Sequence, residues 1–263
     1  MSIMNLENKT AIVTGSTKGI GRAIAEKFAK CGANVVITGR TESIAVEIAK
    51  EIADTYGVKA LGVGVNVTSE KEIIRAVDKT IEAFGAVDIL INNAGIQTIS
   101  PLIDFSLAGW NNLINIHLTG SFVAAKECMK HMIKNGKGGK IITIGSAHSV
   151  CASANKAAYV SAKHAQVGLT RSIALEGGKY NISSNMVSPG FVWTDLVKKQ
   201  IPERAEAENI TEEEAKKSMV ANTVDGEFST LDDVSNAALF FASFESNALT
   251  GQSLIVSHGW NMQ

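Results

Sequence analysis

Thr10-Ala-Ile-Val-Thr-Gly-Ser-Thr-Lys-Gly-Ile-Gly21 is the stretch that decides the fold. Residues 10–14 are a short apolar run that ends in glycine, and Ile20, Ala23, Ile24 and Phe28 then recur at helical spacing. Strand, glycine turn and helix in that order let backbone N–H groups approach an anion at a helix N-terminus, where the dipole favours negative charge. Gly15, Gly19 and Gly21 give the spacing G-x-x-x-G-x-G. It is not a P-loop, because no Gly-Lys-Ser/Thr follows. Taken alone it is also an ordinary glycine turn; its place between a first strand and a first helix favours a phosphate-cradling loop.

Outward from that unit the rhythm repeats. Residues 34–38, 60–67, 87–91, 140–144 and 253–257 are strand-like. Between them run helical stripes: Ile44, Ile48 and Ile52; Ile73, Val77, Ile81 and Phe84; and a long helical stretch from about 107 to 133. Continuous apolar strands alternating with helices predict a parallel sheet covered on both faces, an α/β doubly wound fold. No linker interrupts it, so residues 1–263 read as one domain. Residues 193–228 depart from the rhythm, being rich in Glu, Lys and Ala. Thr211-Glu-Glu-Glu214 is a capping box and Thr230-Leu-Asp-Asp233 a similar start signal. The segment reads either as a small helical lid over a site or as a solvated helical excursion.

Composition narrows the function classes. With 45% hydrophobic residues and a mean hydropathy of +0.11, the chain is not disordered. A net charge of −1 leaves no basic excess for phosphate backbones, so no nucleic-acid partner is expected. Apolar runs are strand-length, so no membrane span is expected, and residues 1–9 lack the apolar core of a secretory leader. Cys31, Cys128 and Cys151 fit neither a disulfide framework nor a zinc cluster, which predicts a reducing, cytoplasmic setting and no metal.

A second constellation is Tyr159-Val-Ser-Ala-Lys163. Spacing of four puts both side chains on one helix face, where an ammonium lowers a neighbouring phenol's pKa and makes a general base of it. A surface pair is the plainer alternative; Ser146, at the carboxyl end of the fifth strand, places the pair at the ligand crevice.

Together, Thr14 to Gly21, Asn92-Asn-Ala-Gly95, Ser146, Tyr159 with Lys163, and Ser188-Pro-Gly190 followed by Thr194 resemble the short-chain dehydrogenase/reductase family over the whole chain. The resemblance implies a seven-stranded Rossmann sheet and a nicotinamide cofactor, NAD(H) or NADP(H). Tyr159 would be the acid–base, Lys163 would bind the nicotinamide ribose and lower the Tyr159 pKa, and Ser146 would hydrogen-bond the reacting oxygen. Carried onto this sequence, the cofactor would meet Gly15, Ser16, Thr17, Gly19, Ile20 and Gly21 in the loop, and Arg40 after the second strand. Asn66 and Val67 would meet it beside the adenine, Asn93, Ala94 and Gly95 after the fourth strand, and Pro189, Gly190, Val192 and Thr194 after the sixth.

The sequence departs from the family at three points. The asparagine that holds a helix kink and a relay water reads His117, with Asn115 two residues earlier and off that face. The adenine-contacting aspartate reads Asn66, and the terminal Asp-Gly-Gly reads Ser257-His258-Gly259. At the end of the second strand, where an acid would accept from the ribose 2′-OH, stand Gly39 and Arg40, and a guanidinium there suits a 2′-phosphate.

Within the family the chain is similar to bacterial D-3-hydroxybutyrate dehydrogenases, whose members often use NAD. Gln97, His148, Lys156 and Gln200 match that group's carboxylate clamp, and Phe191 and Trp260 would enclose the methyl end of a short hydroxy acid or keto acid. A homotetramer is implied too. A 3-oxoacyl thioester reductase or hydroxysteroid dehydrogenase of the same family, and a non-catalytic nucleotide sensor, are the other readings.

Overall fold

The computed structural model describes residues 4–262; residues 1–3 and 263, part of the expected domain, lie outside the described residues. The chain runs β1 (Thr10–Val13), α1 (Gly19–Lys30), β2 (Asn34–Gly39), α2 (Glu42–Tyr56), β3 (Ala60–Gly64), α3 (Glu70–Phe84), β4 (Ile89–Asn92), α4 (Leu107–Ile114), α5 (Gly120–Asn135), β5 (Gly139–Ile144), α6 (Ala157–Gly177), β6 (Ile182–Pro189), α7 (Asp195–Glu208), α8 (Glu212–Val220), α9 (Leu231–Ser243) and β7 (Ser253–Val256). The strands form one seven-stranded sheet in the order β3-β2-β1-β4-β5-β6-β7, and every pairing is parallel.

Alternation of side chains along each strand builds the two layers. Val13, Val35, Ile37, Ile89 and Ile91 face α1, α2 and α9, where Ile24, Phe28, Ile48 and Val234 meet them. Ile12, Val36, Leu90 and Ile141 face the opposite way, onto Ile73 and Val77 of α3, Val123 and Met132 of α5 and Ile173 of α6. Because both faces are covered, the strands are apolar throughout rather than alternating.

Two boundaries differ from the sequence expectation. The third strand ends at Gly64, not 67. Val65 N–H still reaches Gly39 O at 2.7 Å, but Asn66 Oδ1 then accepts from Thr68 N and Thr68 Oγ1 and turns the chain. The long helix is interrupted by a π-helical turn over Asn115–Thr119. Its carbonyls are met from outside the helix ladder: His117 O accepts from Gln166 Nε2 at 2.7 Å and from Ser121 Oγ at 2.6 Å. Neighbouring Gly120 lies so near β3's end that a Cβ there would come within 2.8 Å of Val67 O.

The 193–228 segment forms the helix pair α7 and α8 with its own small core of Val197, Ile201, Ala205, Ala215 and Met219, which Phe191 and Phe228 join. Thr211 caps α8 reciprocally with Glu214, and Thr230 caps α9 with Asp233. No helix among the described residues is long and apolar enough to cross a membrane.

Strand order reverses between β1 and β4, and there the two strand ends are pinned by one hydroxyl. Thr14 Oγ1 donates to Ile91 O at 3.2 Å and accepts from Asn93 N at 2.9 Å and Ala94 N at 3.1 Å. Thr14→Ala leaves those buried groups unpaired and should cost about 1–3 kcal/mol, read as a lower denaturation midpoint at unchanged m-value. Thr14→Ser should recover most of the loss.

Candidate active site

The crevice over the carboxyl ends of β1 and β4 is shaped by close backbone approach. Gly15 and Gly19 have φ of +64° and +58°, and a Cβ at Gly15 would stand 2.9 Å from Ala94 Cα. A Cβ at Gly21 would stand 2.4 Å from Asn93 Nδ2, the group that donates to Thr14 O and Gly15 O. Above Gly19 the space is open. The first turn of α1 carries no acid and no side-chain cap, so its N–H groups face outward unclaimed. That is the setting for a pyrophosphate. Ser16 does not take part with its own polar groups: its N–H goes to Thr38 O, and its hydroxyl donates to Val13 O and accepts from Thr38 N. It supports the loop from behind. Asn66 likewise spends its side-chain oxygen on the Thr68 turn. Gly39 faces the Thr17 methyl, which would meet a Cβ at 2.6 Å, and Arg40 is exposed with no partner among the described residues.

Further along the sheet, one cavity of about 130 Å³ is lined by Gln97, Ser146, His148, Lys156, Tyr159, Phe191, Gln200 and Trp260, with Ile20, Pro189, Gly190, Val192 and Thr194 on the crevice side. All eight residues expected to hold a substrate thus share one wall. Gln200, from α7, donates through Nε2 to Gln97 Oε1 at 3.2 Å, which ties the α7–α8 pair to the loop after β4. Phe191 stacks on Trp260 at 5.2 Å, and His148 stands edge-on to both Trp260 and Tyr159. Thr194 caps α7 through Val197 N–H.

Lys156 precedes α6 as its N-cap residue and makes no capping bond with its side chain. Its ammonium lies 5.7 Å from the Phe191 ring centre, and no carboxylate pairs with it among the described residues. Burial, then the Arg204 charge, pushes its pKa below the usual lysine range.

Tyr159 and Lys163 share one face of α6, as their spacing predicts. Lys163 Nζ, 5.5 Å from the Tyr159 ring centre, donates to Ile144 O at 2.8 Å, and burial lowers its pKa to about 7. Burial raises the Tyr159 phenol, and the opposing influence is the Ser146 hydroxyl, not Lys163. His117, in the asparagine's position on the π turn, is buried. Its Nε2 lies 2.7 Å from Ile96 O and 3.1 Å from Ile96 N. Its Nδ1 has no partner among the described residues, and its ring meets Tyr159 edge-on at 5.4 Å. His148 does not offer a nitrogen to the cavity: Nδ1 lies 3.3 Å from Ser146 Oγ and Nε2 2.8 Å from Ser153 Oγ. Gln166 lies seven residues after Tyr159, a spacing that puts it on the same helix face; Ser153 carries no sequence signal.

A serine and a tyrosine hydroxyl together, beside a lysine, over a crevice fitted to a dinucleotide, suit hydride transfer coupled to proton transfer. The profile of the short chain dehydrogenase family matches residues 9–205. The chain belongs to that family. It is 37% identical over 257 residues to a D-beta-hydroxybutyrate dehydrogenase of Rhizobium meliloti, covering 97% of this chain and 99% of the relative. It is 35% identical over 256 residues to a 3-oxoacyl-(acyl-carrier-protein) reductase of Aquifex aeolicus, covering 97% and 98%. A short-chain type dehydrogenase/reductase from Mycobacterium marinum superposes with a TM-score of 0.89 at 27% identity, over 99% of this chain and 98% of that one. Short-chain dehydrogenases are oxidoreductases that use NAD(H) or NADP(H), and the open, uncapped loop from Gly15 to Gly21 fits such a group.

Both buried imidazoles are held neutral. Burial, then Lys163, lowers His117 to about 3; burial, then Lys156, lowers His148 to about 4. In the unfolded chain a histidine takes its proton near pH 6.5, so between 6.5 and these values the unfolded state binds more protons and stability falls as pH falls. Thermal stability should therefore drop on acidification from pH 6.5 to 4. Replacing His117 by Asn should flatten that fall relative to the parent, measured by melting curves across the range.

Proposed function

We propose that this short-chain dehydrogenase interconverts (R)-3-hydroxybutyrate and acetoacetate. The observation that carries the reading is Lys156: a partly buried ammonium without an acidic partner among the described residues, in the same cavity as Ser146 and Tyr159. A short acid's carboxylate supplies the missing counter-charge, and the N-terminus of α6 adds its dipole. Gln97 and Gln200 offer amide donors beside it, and Phe191 and Trp260 face the methyl end. The hydroxybutyrate dehydrogenase likeness supports this substrate; the similar identity to a 3-oxoacyl reductase supports the second reading, a 3-oxoacyl thioester.

In oxidation, Ser146 positions the substrate oxygen and Tyr159, as phenolate, takes the hydroxyl proton. In reduction Tyr159 returns it. The nicotinamide, when bound, accepts or supplies the hydride. Lys163 faces the tyrosine and the ribose side of the crevice, and His117 holds the wall behind Tyr159. Gly15, Thr17, Gly19, Ile20, Gly21, Val67, Asn93, Ala94, Gly95, Pro189, Gly190, Val192 and Thr194 would line the cofactor's path. The same reading has the enzyme act as a homotetramer in the cytoplasm, and exposed Leu102, Ile103 and Leu107 are apolar surface suited to assembly.

One test of the substrate uses Lys156→Ala. A charge-assisted contact is worth about 1.5–3 kcal/mol, so KM for acetoacetate should rise roughly ten- to a hundredfold, while a neutral acetoacetate ester should hardly respond. Because the carboxylate needs the ammonium, and that ammonium loses its proton below the ordinary lysine range, KM in the parent should climb on the alkaline side. The variant should lose that climb. A parent that prefers the ester, or a variant equally impaired on both, favours the thioester reading.

Arg40 bears on the cofactor. With Gly39 where an acid would reject a 2′-phosphate, and an unpartnered guanidinium beside it, both NAD(H) and NADP(H) are accepted, and the phosphate of NADP(H) meets Arg40. Arg40→Ala should weaken NADP(H) selectively in a binding titration; equal effects on the two cofactors would remove the phosphate contact.

A further inference from the structure

We propose that the His258–Asp225 pair positions Trp260 and so limits the length of acyl chain that the cavity accepts. The inference rests on the reading of Phe191 and Trp260 as the wall at the methyl end, and deepens it by naming what holds that wall.

Trp260 lines the cavity from a short turn after β7, its ring stacked on Phe191. Two bonds shape the turn from within: Trp260 N donates to Ser257 O at 3.0 Å, and Asn261 N to Ser257 Oγ at 3.4 Å. Its hydrogen bonds to other segments, among the described residues, run two ways. Toward the loop before α6, Asn261 Nδ2 donates to Cys151 Sγ at 3.1 Å. Toward the segment after α8, both bonds come from His258. Its carbonyl accepts from Val224 N at 2.8 Å, and its Nδ1 lies 2.7 Å from Asp225 Oδ2. The two segments are packed there as well, since a Cβ at Gly259 would stand 2.7 Å from Val224 Cγ1.

The side chain at 258 is not needed to make the turn. His258 has φ of +50°, a conformation that glycine takes freely and that costs any residue with a Cβ. It stands where the family pattern Asp-Gly-Gly has its first glycine. What the histidine adds, against that strain, is the bond to Asp225. Asp225 is aimed for it: Oδ1 accepts from Glu227 N at 3.2 Å, which leaves Oδ2 for the ring. A carboxylate only accepts, so Nδ1 carries the hydrogen whether the imidazole is neutral or protonated.

The two rings of the wall are thereby fixed to one helical excursion. Phe191 joins the small core of α7 and α8 where the chain enters it, and Trp260 is tied through His258 to Val224 and Asp225 where the chain leaves it. With the side-chain pair broken, the Val224–His258 and Asn261–Cys151 bonds keep the turn attached, but the indole is free to move away from Phe191. Room is then gained at the methyl end and not at Ser146, Lys156 or Tyr159.

The test compares kcat/KM for (R)-3-hydroxybutyrate and (R)-3-hydroxypentanoate, one methylene longer. The variants are Asp225→Ala, Asp225→Asn, His258→Gly, and Asp225→Ala with His258→Gly. A firm apolar wall discriminates one methylene by roughly tenfold or more. The pentanoate-to-butyrate ratio should rise roughly three- to tenfold in Asp225→Ala and in His258→Gly. The double variant should rise no further than the stronger single one, because both remove the same contact. Asp225→Asn, which keeps an acceptor oxygen, should return to the parent ratio, and the cofactor KM should not move in any of them. Hydrogen exchange should show a faster Trp260 amide in Asp225→Ala and the parent rate in Asp225→Asn. A parent indifferent to the extra methylene, an unchanged ratio in Asp225→Ala even with faster exchange, or single effects that multiply in the double variant each overturn the proposal. Refusal of both free acids by the parent sinks the substrate reading alone. The ratio is then read with the N-acetylcysteamine thioesters of the same two acids, whose methyl ends are identical.

Discussion

The rest of the site hangs on how closely the ends of β1 and β4 approach each other at the point where strand order reverses. The Thr14 hydroxyl binds three backbone groups of the β4 end at once, and Asn93 returns the contact by gripping Thr14 O and Gly15 O. Nothing larger than hydrogen fits at Gly15 or Gly21 without moving those backbones. This knot sets the mouth of the crevice, and it aims the uncapped N-terminus of α1 across it. β5 pairs with β4 and β6 with β5, so Ser146 and Pro189 emerge at the same height. Ser146 is placed by the end of β5, and Tyr159 is brought to the same cavity by α6.

Much of this was legible in the sequence because the deciding residues sit where periodicity changes. Gly15, Gly19 and Gly21 fall between an apolar run and a helical stripe, and Tyr159 and Lys163 share a helix face by spacing alone. The capping boxes at Thr211 and Thr230 likewise involve only residues three apart. What escaped depends on contacts between distant segments. The π turn at Asn115–Thr119 arises where Gln166 of α6 reaches a carbonyl of another helix. β3 stops early because Asn66 prefers its own turn to the ladder. Ser16 has the loop's residue type and position, yet its hydroxyl faces Val13 and Thr38. Spacing says which residues are neighbours; it does not say which way a short polar side chain turns.

The clamp shows the same limit in another form. Sequence likeness brought Gln97, His148, Lys156 and Gln200 to one cavity, and the structure places them there. Their hydrogen-bond partners separate them. Gln97 and Gln200 are bonded to each other, from the loop after β4 to α7. Lys156 has a ring face beside it, the Arg204 charge nearby and no carboxylate partner among the described residues, so an anion there has a charge to meet. His148 has both nitrogens engaged. Their contacts therefore divide the four into a lysine with no carboxylate partner among the described residues, an amide pair bonded to itself, and an imidazole bonded to Ser146 and Ser153.

Burial gives these groups a common electrostatic state. The two histidines are held neutral, Lys163 is drawn down to about 7, Lys156 is pushed below its ordinary range, and the Tyr159 phenol is pushed up. Each shift has desolvation as its largest cause, and each disfavours the charged form. Left to itself the cavity resists charge of either sign. A carboxylate beside Lys156 reverses that for the ammonium, since a paired charge recovers what desolvation takes away. The Ser146 hydroxyl opposes burial at the Tyr159 phenol, because a hydrogen bond to the charged form favours it.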